Sequence, residues 1–285
     1  MPRIAVTGGS GKLGRAVVQD LLDHDYEVVN LDRAAPPGPS AASFTRVELT
    51  DYGQVAQALT MIDDRYSGVD AVVHLAAIPA PGLVPNAVTF HNNITASYNV
   101  FAAARAAGID RVVWASSETL LGLPFDTPPP YLPVDEEYPA RPESSYSLSK
   151  HLEEQMAAQF CRWNPELTAI GLRFSNVMEP ADYAAFPSFD ADPRSRIWNL
   201  WGYIDARDGA QAVRRALTYD QRGVEVFIIA NADTVMSRPT AELVAEYYPE
   251  LPLTREVSGN ETLLSIEKAR RLLGYEPQHS WRAEV

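Results

Sequence analysis

Along the first part of the chain, short continuous apolar runs alternate with longer stretches in which apolar residues recur every three or four positions. The runs are Arg3–Thr7 (RIAVT), Tyr26–Leu31 (YEVVNL), Phe44–Leu49 (FTRVEL), Asp70–Leu75 (DAVVHL), Arg111–Ala115 (RVVWA) and Leu167–Phe174 (LTAIGLRF). Each is short and rich in β-branched residues, as strands buried on both faces are. Helical spacing follows from Arg15, from Thr50-Asp51 to about Arg65, from about Pro85 to Ala107, and from about Ser144 to Trp163. Asp51 is placed to cap the second of these, with Val55, Ala58, Leu59 and Ile62 on its inner face, and Gly108 to close the third. This β-then-α order predicts an α/β fold: a doubly wound parallel sheet, covered on both faces and joined by right-handed crossovers.

The proline-rich stretch from Pro124 to Pro142 predicts a loop over the carboxyl edge of that sheet. From Ser175 to Gly202 the pattern is irregular but aromatic, with Tyr183, Phe186, Phe189, Trp198 and Trp201. The aromatics of Trp198–Tyr203 suit a sugar pocket or the packing of a small lobe equally well. Helical spacing returns at Ile204–Thr218, Arg238–Tyr248 and Thr262–Leu273, with a strand at Glu225–Ala230.

Composition narrows the partners. With 37 acidic against 24 basic residues the chain carries a net charge of −13, which argues against nucleic acid or an anionic membrane as partner. No apolar run reaches the roughly 18–20 residues that span a bilayer. The first residues enter a strand at once, so no signal peptide is expected, and Cys161 is the only cysteine. A cytoplasmic protein is the expectation. His24, His74, His91, His151 and His279 lack ligand spacing, so no metal is expected, and His74, inside a strand, reads as a satisfied core histidine. Asp135, Glu136 and Glu137 read as carboxylates that cap and solvate their loop.

Two groups of residues point to chemistry. Between the first strand and the first helix lies Gly8-Gly9-Ser10-Gly11-Lys12-Leu13-Gly14. Strand, glycine turn and helix together make a phosphate cradle at a helix N-terminus. Asp32, closing the second strand, is placed to accept both hydrogen bonds of an adenosine ribose diol. Ligands of such sheets lie beyond the carboxyl ends of the strands, and Gly8, Asp32, Ala76 and Ser117 all fall on that edge. The second group is Tyr146 and Lys150, four apart at a helix start and therefore on one face. A neighbouring ammonium and an oxidised nicotinamide both favour the phenolate, making Tyr146 a general base toward a substrate hydroxyl. Ser117 is placed to hydrogen-bond the same oxygen.

With these residues in place the chain resembles the extended short-chain dehydrogenase/reductase family, the NAD-dependent epimerase/dehydratases. The resemblance rests on TGGSGKLG (Thr7–Gly14), Leu31-Asp32, HLAA (His74–Ala77), NITASYNV (Asn93–Val100), WASS (Trp114–Ser117), YSLSK (Tyr146–Lys150), LRFSNV (Leu172–Val177) and SIEKARRLLGYEP (Ser265–Pro277). It implies a Rossmann-type sheet with a small C-terminal α/β substrate lobe. Residues 1–174 with segments of about 204–230 would bind the dinucleotide, and 175–203 with 231–285 the substrate. It also implies Ser117, Tyr146 and Lys150 as the catalytic trio, with Tyr146 and Lys150 also against the cofactor. Gly8, Gly11, Lys12, Leu13 and Gly14 would lie at the pyrophosphate and Asp32 at the ribose. Glu48 and Leu49 would sit by the adenine, Leu75, Ala76 and Ala77 near the ribose-phosphate, and Asn93 beside them. Asn93 serves the site by positioning backbone or water, or is simply satisfied by backbone. Ser116 and Asn176 are the candidate substrate contacts. NAD is the expected cofactor, with NADP left open by Arg33.

The expected activity is oxidation of a sugar or sugar-acid hydroxyl. A nucleotide-sugar 4-epimerase that retains NAD, and a non-enzymatic NAD(P)-sensing protein, are the alternatives. IWNLWGYIDARDGAQAV lacks an arginine immediately before Tyr203-Ile204-Asp205, although Arg194 and Arg196 are near, and SNVMEP follows the sixth strand. Both features weigh against a nucleotide diphosphate. The helices at about 85–107 and 144–163 are expected to pair in a homodimer.

Overall fold

A computed structural model describes the whole chain except Asp63, Asp64, Val285 and the side chain of Ile62. In chain order its elements are β1 (Arg3–Thr7), α1 (Lys12–Asp23), β2 (Glu27–Asp32), β3 (Ser43–Arg46), α2 (Tyr52–Thr60), β4 (Met61–Ile62), β5 (Tyr66–Ser67), β6 (Ala71–His74), α3 (Asn86–Ala106), β7 (Arg111–Ser117), α4 (Ser145–Trp163) and β8 (Thr168–Phe174). There follow β9 (Val177–Met178), β10 (Ile204–Asp205), α5 (Ala206–Leu217), β11 (Gly223–Ile229), α6 (Thr240–Tyr247) and α7 (Glu267–Leu273), with 3₁₀ turns at Glu118–Leu121, Pro180–Ala191, Pro193–Asn199 and Trp281–Ala283.

Seven strands form one sheet in the order β11-β8-β7-β6-β1-β2-β3, every pair parallel. The order reverses between β1 and β6, and the crevice at that reversal is where such sheets take their ligands. Successive strand residues feed opposite faces. Ile4 and Val6 join a core completed by Val17 and Leu21 of α1 and Val213 of α5. Ala5 and Val29 join one completed by Val55 of α2, Phe101 of α3 and Phe160 of α4. The buried, two-sided strands expected from the apolar runs are therefore present, with helices on both faces.

Several expectations of extent or character are corrected, and α7 begins at Glu267 rather than Thr262. The second helix was expected to reach about Arg65 and stops at Thr60. There the chain folds into the β4–β5 hairpin, the Tyr66 hydroxyl takes the Ala58 carbonyl at 2.5 Å, and the Gly68 N–H takes that of Thr60. Both carbonyls are ones a continuing helix would have used. The expected inner-face role of the Ile62 side chain lies outside the described residues. β3 ends at Arg46 rather than Leu49, because its partner β2 ends at Asp32. β7 extends to Ser117, paired with Phe174 of β8, so Ser116 and Ser117 are strand residues rather than the start of a loop. The segment expected from Pro124 to Pro142 is irregular, yet it is packed rather than loose: Phe125, Leu132, Val134 and Tyr138 are buried, and Leu132 and Val134 make bridges to Leu253 and Leu264.

Among the described residues no helix is long and apolar enough to cross a membrane.

Candidate active site

Where β1 gives way to α1, Gly8 has φ +72°, and a Cβ there would stand 2.6 Å from the Ala76 nitrogen just past β6. A Cβ on Gly14 would stand 2.0 Å from the Gly8 carbonyl oxygen. The turn and the loop after β6 touch at a distance that only glycine permits. Gly11 is the N-cap of α1 and offers no side-chain cap, so the first N–H groups of the helix lack the usual partner. A Cβ on Gly11 would meet only the Gly8 oxygen, at 3.3 Å. Uncapped donors behind an open glycine suit a pyrophosphate.

Asp32 ends β2 beside this turn. Its Oδ2 accepts from the Ser10 N–H at 3.1 Å and its Oδ1 from the Ala34 N–H at 3.2 Å. Two main-chain donors fix the carboxylate, and each oxygen keeps a lone pair for a ribose hydroxyl. Arg33 is exposed and stands 3.9 Å from Glu48. Burial acts to raise the Glu48 carboxyl, but the Thr50 N–H and hydroxyl, with Arg33, outweigh it and hold it below the usual range. Leu49 is buried, its carbonyl accepting from Asn99 at 2.9 Å. Leu75 donates its N–H to the Thr7 carbonyl at 3.1 Å, and Ala76 and Ala77, both half-buried, continue that loop.

Two of the expected cofactor contacts are otherwise engaged. The Lys12 ammonium pairs with Asp182 at 2.6 Å, and Arg15 with Glu179 at 2.7 Å, clasping α1 to the turn that starts at Pro180. What Lys12 offers a phosphate is foremost its backbone N–H. Asn93 is buried in α3, its Oδ1 accepting from the Ile78 N–H at 2.8 Å and its Nδ2 donating to the Ile78 carbonyl at 3.1 Å. Both of its polar atoms are thus bonded to the backbone of the loop after β6.

At the far side of the crevice, Ser144 and Ser147 cap α4 reciprocally, setting Tyr146 in its first turn and Lys150 one turn later. Ser117 Oγ accepts from the Thr119 N–H at 3.2 Å and hydroxyl at 2.9 Å, leaving its own proton for Tyr146 or a substrate oxygen. Lys150 Nζ lies 6.0 Å from the centre of the Tyr146 ring. Burial raises the Tyr146 phenol, Lys150 and Ser117 pull it down, and Glu153 and Glu118 push it up again, leaving it above its ordinary value. Lys150 does favour the phenolate, as expected, but within the protein by itself desolvation outweighs it.

Lys150 is buried and donates to the Ala115 carbonyl at 2.8 Å and to Glu153 Oε2 at 2.9 Å. Burial lowers its pKa, but Glu153, with Tyr146 and Glu154, more than offsets that, so the ammonium stays charged.

Ser116 does not serve the crevice. Strand alternation turns it to the opposite face from Ser117, where it donates to Glu154 Oε1 at 2.7 Å. Arg173 grips both oxygens of that carboxylate, at 2.9 and 2.8 Å. The candidate substrate residue Asn176 follows β8, its Oδ1 accepting from Arg196 at 3.4 Å. Beside it stand Glu118 and Asn199, which sequence reasoning passed over, with Arg196, Phe189 and Trp198, which it had noted. Glu118, the residue after Ser117, is buried and accepts from Asn199 at 3.3 Å, and burial lifts its pKa to about 7. Arg196 is held between the Phe189 and Trp198 rings, 5.3 and 5.2 Å from their centres. For Glu118 the only sequence signal was its place directly after Ser117.

His74 is the satisfied core histidine expected, with Nδ1 2.7 Å from Thr7 Oγ1 and Nε2 3.1 Å from Ser97 Oγ. Glu136 departs from expectation: it leaves solvent and accepts the β11 Ile228 N–H at 2.7 Å. Tyr203 packs edge to face against both Tyr183 and Phe186, which are tilted against each other, and all three are fully buried, which is lobe packing. Trp201 is likewise buried, against Tyr247 and Tyr248.

Comparison with known proteins agrees with this geometry. L-arabinose 1-dehydrogenase (NAD(P)(+)) of Haloferax volcanii is 34% identical over 98% of this chain and 97% of its own length. UDP-glucose 4-epimerase of Drosophila melanogaster is 29% identical over 71% of this chain, a match spanning only 60% of that enzyme. A crystal structure of UDP-galactose 4-epimerase superposes with a TM-score of 0.72 at 26% identity, covering 99% of this chain and 95% of that one. The model of the NAD dependent epimerase/dehydratase family matches residues 4–230, from β1 through β11. Since that match takes in both the glycine turn and the Tyr146 helix, the chain belongs to the NAD dependent epimerase/dehydratase family.

Proposed function

We propose that the protein is an NAD-dependent oxidoreductase that takes hydride from a hydroxyl-bearing carbon of a sugar or sugar acid, with Tyr146 as general base. The observation that carries this reading is the pairing of buried Lys150 with Tyr146, beside a Ser117 hydroxyl whose proton is free to donate. NAD, when bound, supplies the hydride acceptor. Tyr146 takes the substrate hydroxyl proton on its phenolic oxygen while Ser117 donates to the same substrate oxygen. Lys150 keeps a positive charge behind the phenol and holds the nicotinamide ribose.

The N–H groups of Lys12, Leu13 and Gly14 hold the pyrophosphate, which Gly8 and Gly11 let approach. Glu48 and Leu49 border the adenine, and Leu75, Ala76 and Ala77 the ribose-phosphate. Asp32 favours NAD, because its two acceptor oxygens suit a ribose diol and repel a 2′-phosphate. Arg33 is the group through which NADP would bind, at the cost of its contact with Glu48. On the substrate side Asn176 borders the sugar.

The end-to-end match to an arabinose dehydrogenase supports net oxidation, whereas the shared fold and sequence of the 4-epimerases favour a second reading, retained NAD and inversion. Incubation with NAD and a panel of uronates, aldoses and UDP-sugars separates the two, since only net oxidation releases NADH. Tyr146→Phe should abolish turnover and leave NAD binding by calorimetry nearly intact; a variant that still turns over would remove Tyr146 from the role of base.

The proposal takes residues 1–174 with about 204–230 as the dinucleotide-binding part and 175–203 with 231–285 as the substrate lobe. It takes the protein as a cytoplasmic homodimer joined through α3 and α4. Those adjacent helices leave Val88, Tyr98, Leu148, Leu152 and Trp163 exposed, an apolar face that a twofold partner would cover. Sedimentation velocity tests this, and a monomer would refute it.

A further inference from the structure

Lys150 is followed three residues later by Glu153, and the two form an ion pair inside the protein, with side-chain exposures of 3% and 0%. A buried ion pair is costly to desolvate, and an apolar residue one turn along α4 would pack the same space without that cost. The pair also sits behind the proposed base, since Lys150 faces both Tyr146 and the Ala115 carbonyl of β7. An ammonium has three hydrogens. Ala115 and Glu153 take two of them, so a single one is left for a ribose hydroxyl or for the Tyr146 side.

We propose that Glu153 is a positioning residue for the reaction: it fixes the Lys150 ammonium against β7 and cancels part of its field at Tyr146, so that the base ionises readily only when a second positive charge lies beside it. The oxidised nicotinamide carries such a charge and the reduced one does not. Glu153 thereby ties the readiness of the base to the redox state of the cofactor. This rests on Tyr146 being the base.

The groups facing the pair are few and are known from every packed element. Within α4, Glu153 meets Lys150 and its neighbour Glu154. From α3, Ser97 faces the Glu153 carboxylate and favours its charged form, and from β6, His74 lies behind Ser97, uncharged in the core. Tyr146 in turn feels Lys150, Ser117 and the two carboxylates Glu153 and Glu118. Glu153 Oε1 is buried without a hydrogen-bond partner of good geometry, so its charge is poorly shielded from its surroundings. Burial raises the Glu153 carboxyl above its ordinary value, and the Lys150 ammonium 2.9 Å away opposes that by favouring the charged form. The carboxylate lies no more than about 9 Å from the Tyr146 ring, close enough to move its pKa by about one unit at an effective dielectric of about 20.

The test titrates Tyr146 directly, through tyrosinate absorbance in the near ultraviolet, with the Tyr146→Phe protein subtracted as the background of the other twelve of the 13 tyrosines. In the protein without cofactor, Glu153→Gln should lower the Tyr146 pKa by about one unit. The acid limb of kcat/KM should move the same way. A merely structural glutamate would lower thermal stability and leave both titrations where they were, and that result overturns the proposal.

Should that variant fail to fold, Glu153→Leu, which fills the space without a charge, decides: its Tyr146 pKa in the protein without cofactor should likewise fall by about one unit, and an unmoved value overturns the proposal. If Tyr146→Phe abolishes turnover while Glu153→Gln leaves the titration unmoved, the proposal on Glu153 fails and the base assignment stands. If Tyr146→Phe retains turnover, the base assignment itself has failed.

Discussion

Acid should unfold this protein early, and His74 is the reason. The imidazole is enclosed at the carboxyl end of β6, with Thr7 on one nitrogen and Ser97 on the other. Burial, reinforced by the positive charge of Lys150, depresses its pKa from 6.5 to about 3. A folded-state pKa below the unfolded value means that the unfolded chain takes up a proton first. The stability contributed by neutral His74 is complete above about pH 6.5 and is lost as the pH falls toward 3. One pKa unit corresponds to about 1.4 kcal/mol, so between about pH 7 and pH 5 this group alone removes about 2 kcal/mol.

The perturbation that isolates it is His74→Gln, which keeps a hydrogen-bonding side chain and loses the titration. Urea unfolding at the two pH values should show the variant less stable at neutral pH, since at least one buried hydrogen bond is lost at about 1–3 kcal/mol. Its further loss on acidification should be about 2 kcal/mol smaller than that of the natural chain. Equal losses in the two proteins would refute the argument, because His74 would then be titrating alike in both states.

Two further outcomes follow from the crevice. With Lys150 Nζ 6.0 Å from the Tyr146 ring, Lys150→Met should raise the Tyr146 pKa by up to about two units and cut kcat/KM at neutral pH by up to about a hundredfold, recovering about tenfold per pH unit in alkali. A pH-independent loss would mean that Lys150 acts by binding alone. Asp32→Ala should weaken NAD more than NADP in paired calorimetric titrations, and equal losses would show that the carboxylate does not meet the ribose.

The alternation of apolar runs and helical spacing was enough to give the sheet, its parallel sense and the edge on which the site lies. Its limits were set by contacts that no local pattern carries. Nothing near Thr60 announces a helix end, because the groups that end it, Tyr66 and Gly68, arrive from a hairpin further on. Ser116 and Ser117 are one residue apart in the same motif, and only their place inside β7 shows that they face opposite ways. Lys12 and Asn93 were assigned by resemblance to cofactor contacts, and the partners that engage them, Asp182 and Ile78, lie far off in sequence or in another element. The i,i+3 spacing of Lys150 and Glu153 was legible. That both are buried was not, since two charged residues on a helix ordinarily read as a solvated face.

β1, the first of the seven sheet strands in chain order, ends up in the interior of the sheet, between β2 and β6. One margin of β1 is covered as soon as Glu27–Asp32 has been synthesised, but the other has no partner until Ala71–His74 emerges. For that interval a nascent chain offers a bare apolar strand edge, the kind of surface that recruits other chains. Crowded or accelerated translation should therefore harm this protein before it harms one whose strands pair in the order they are made.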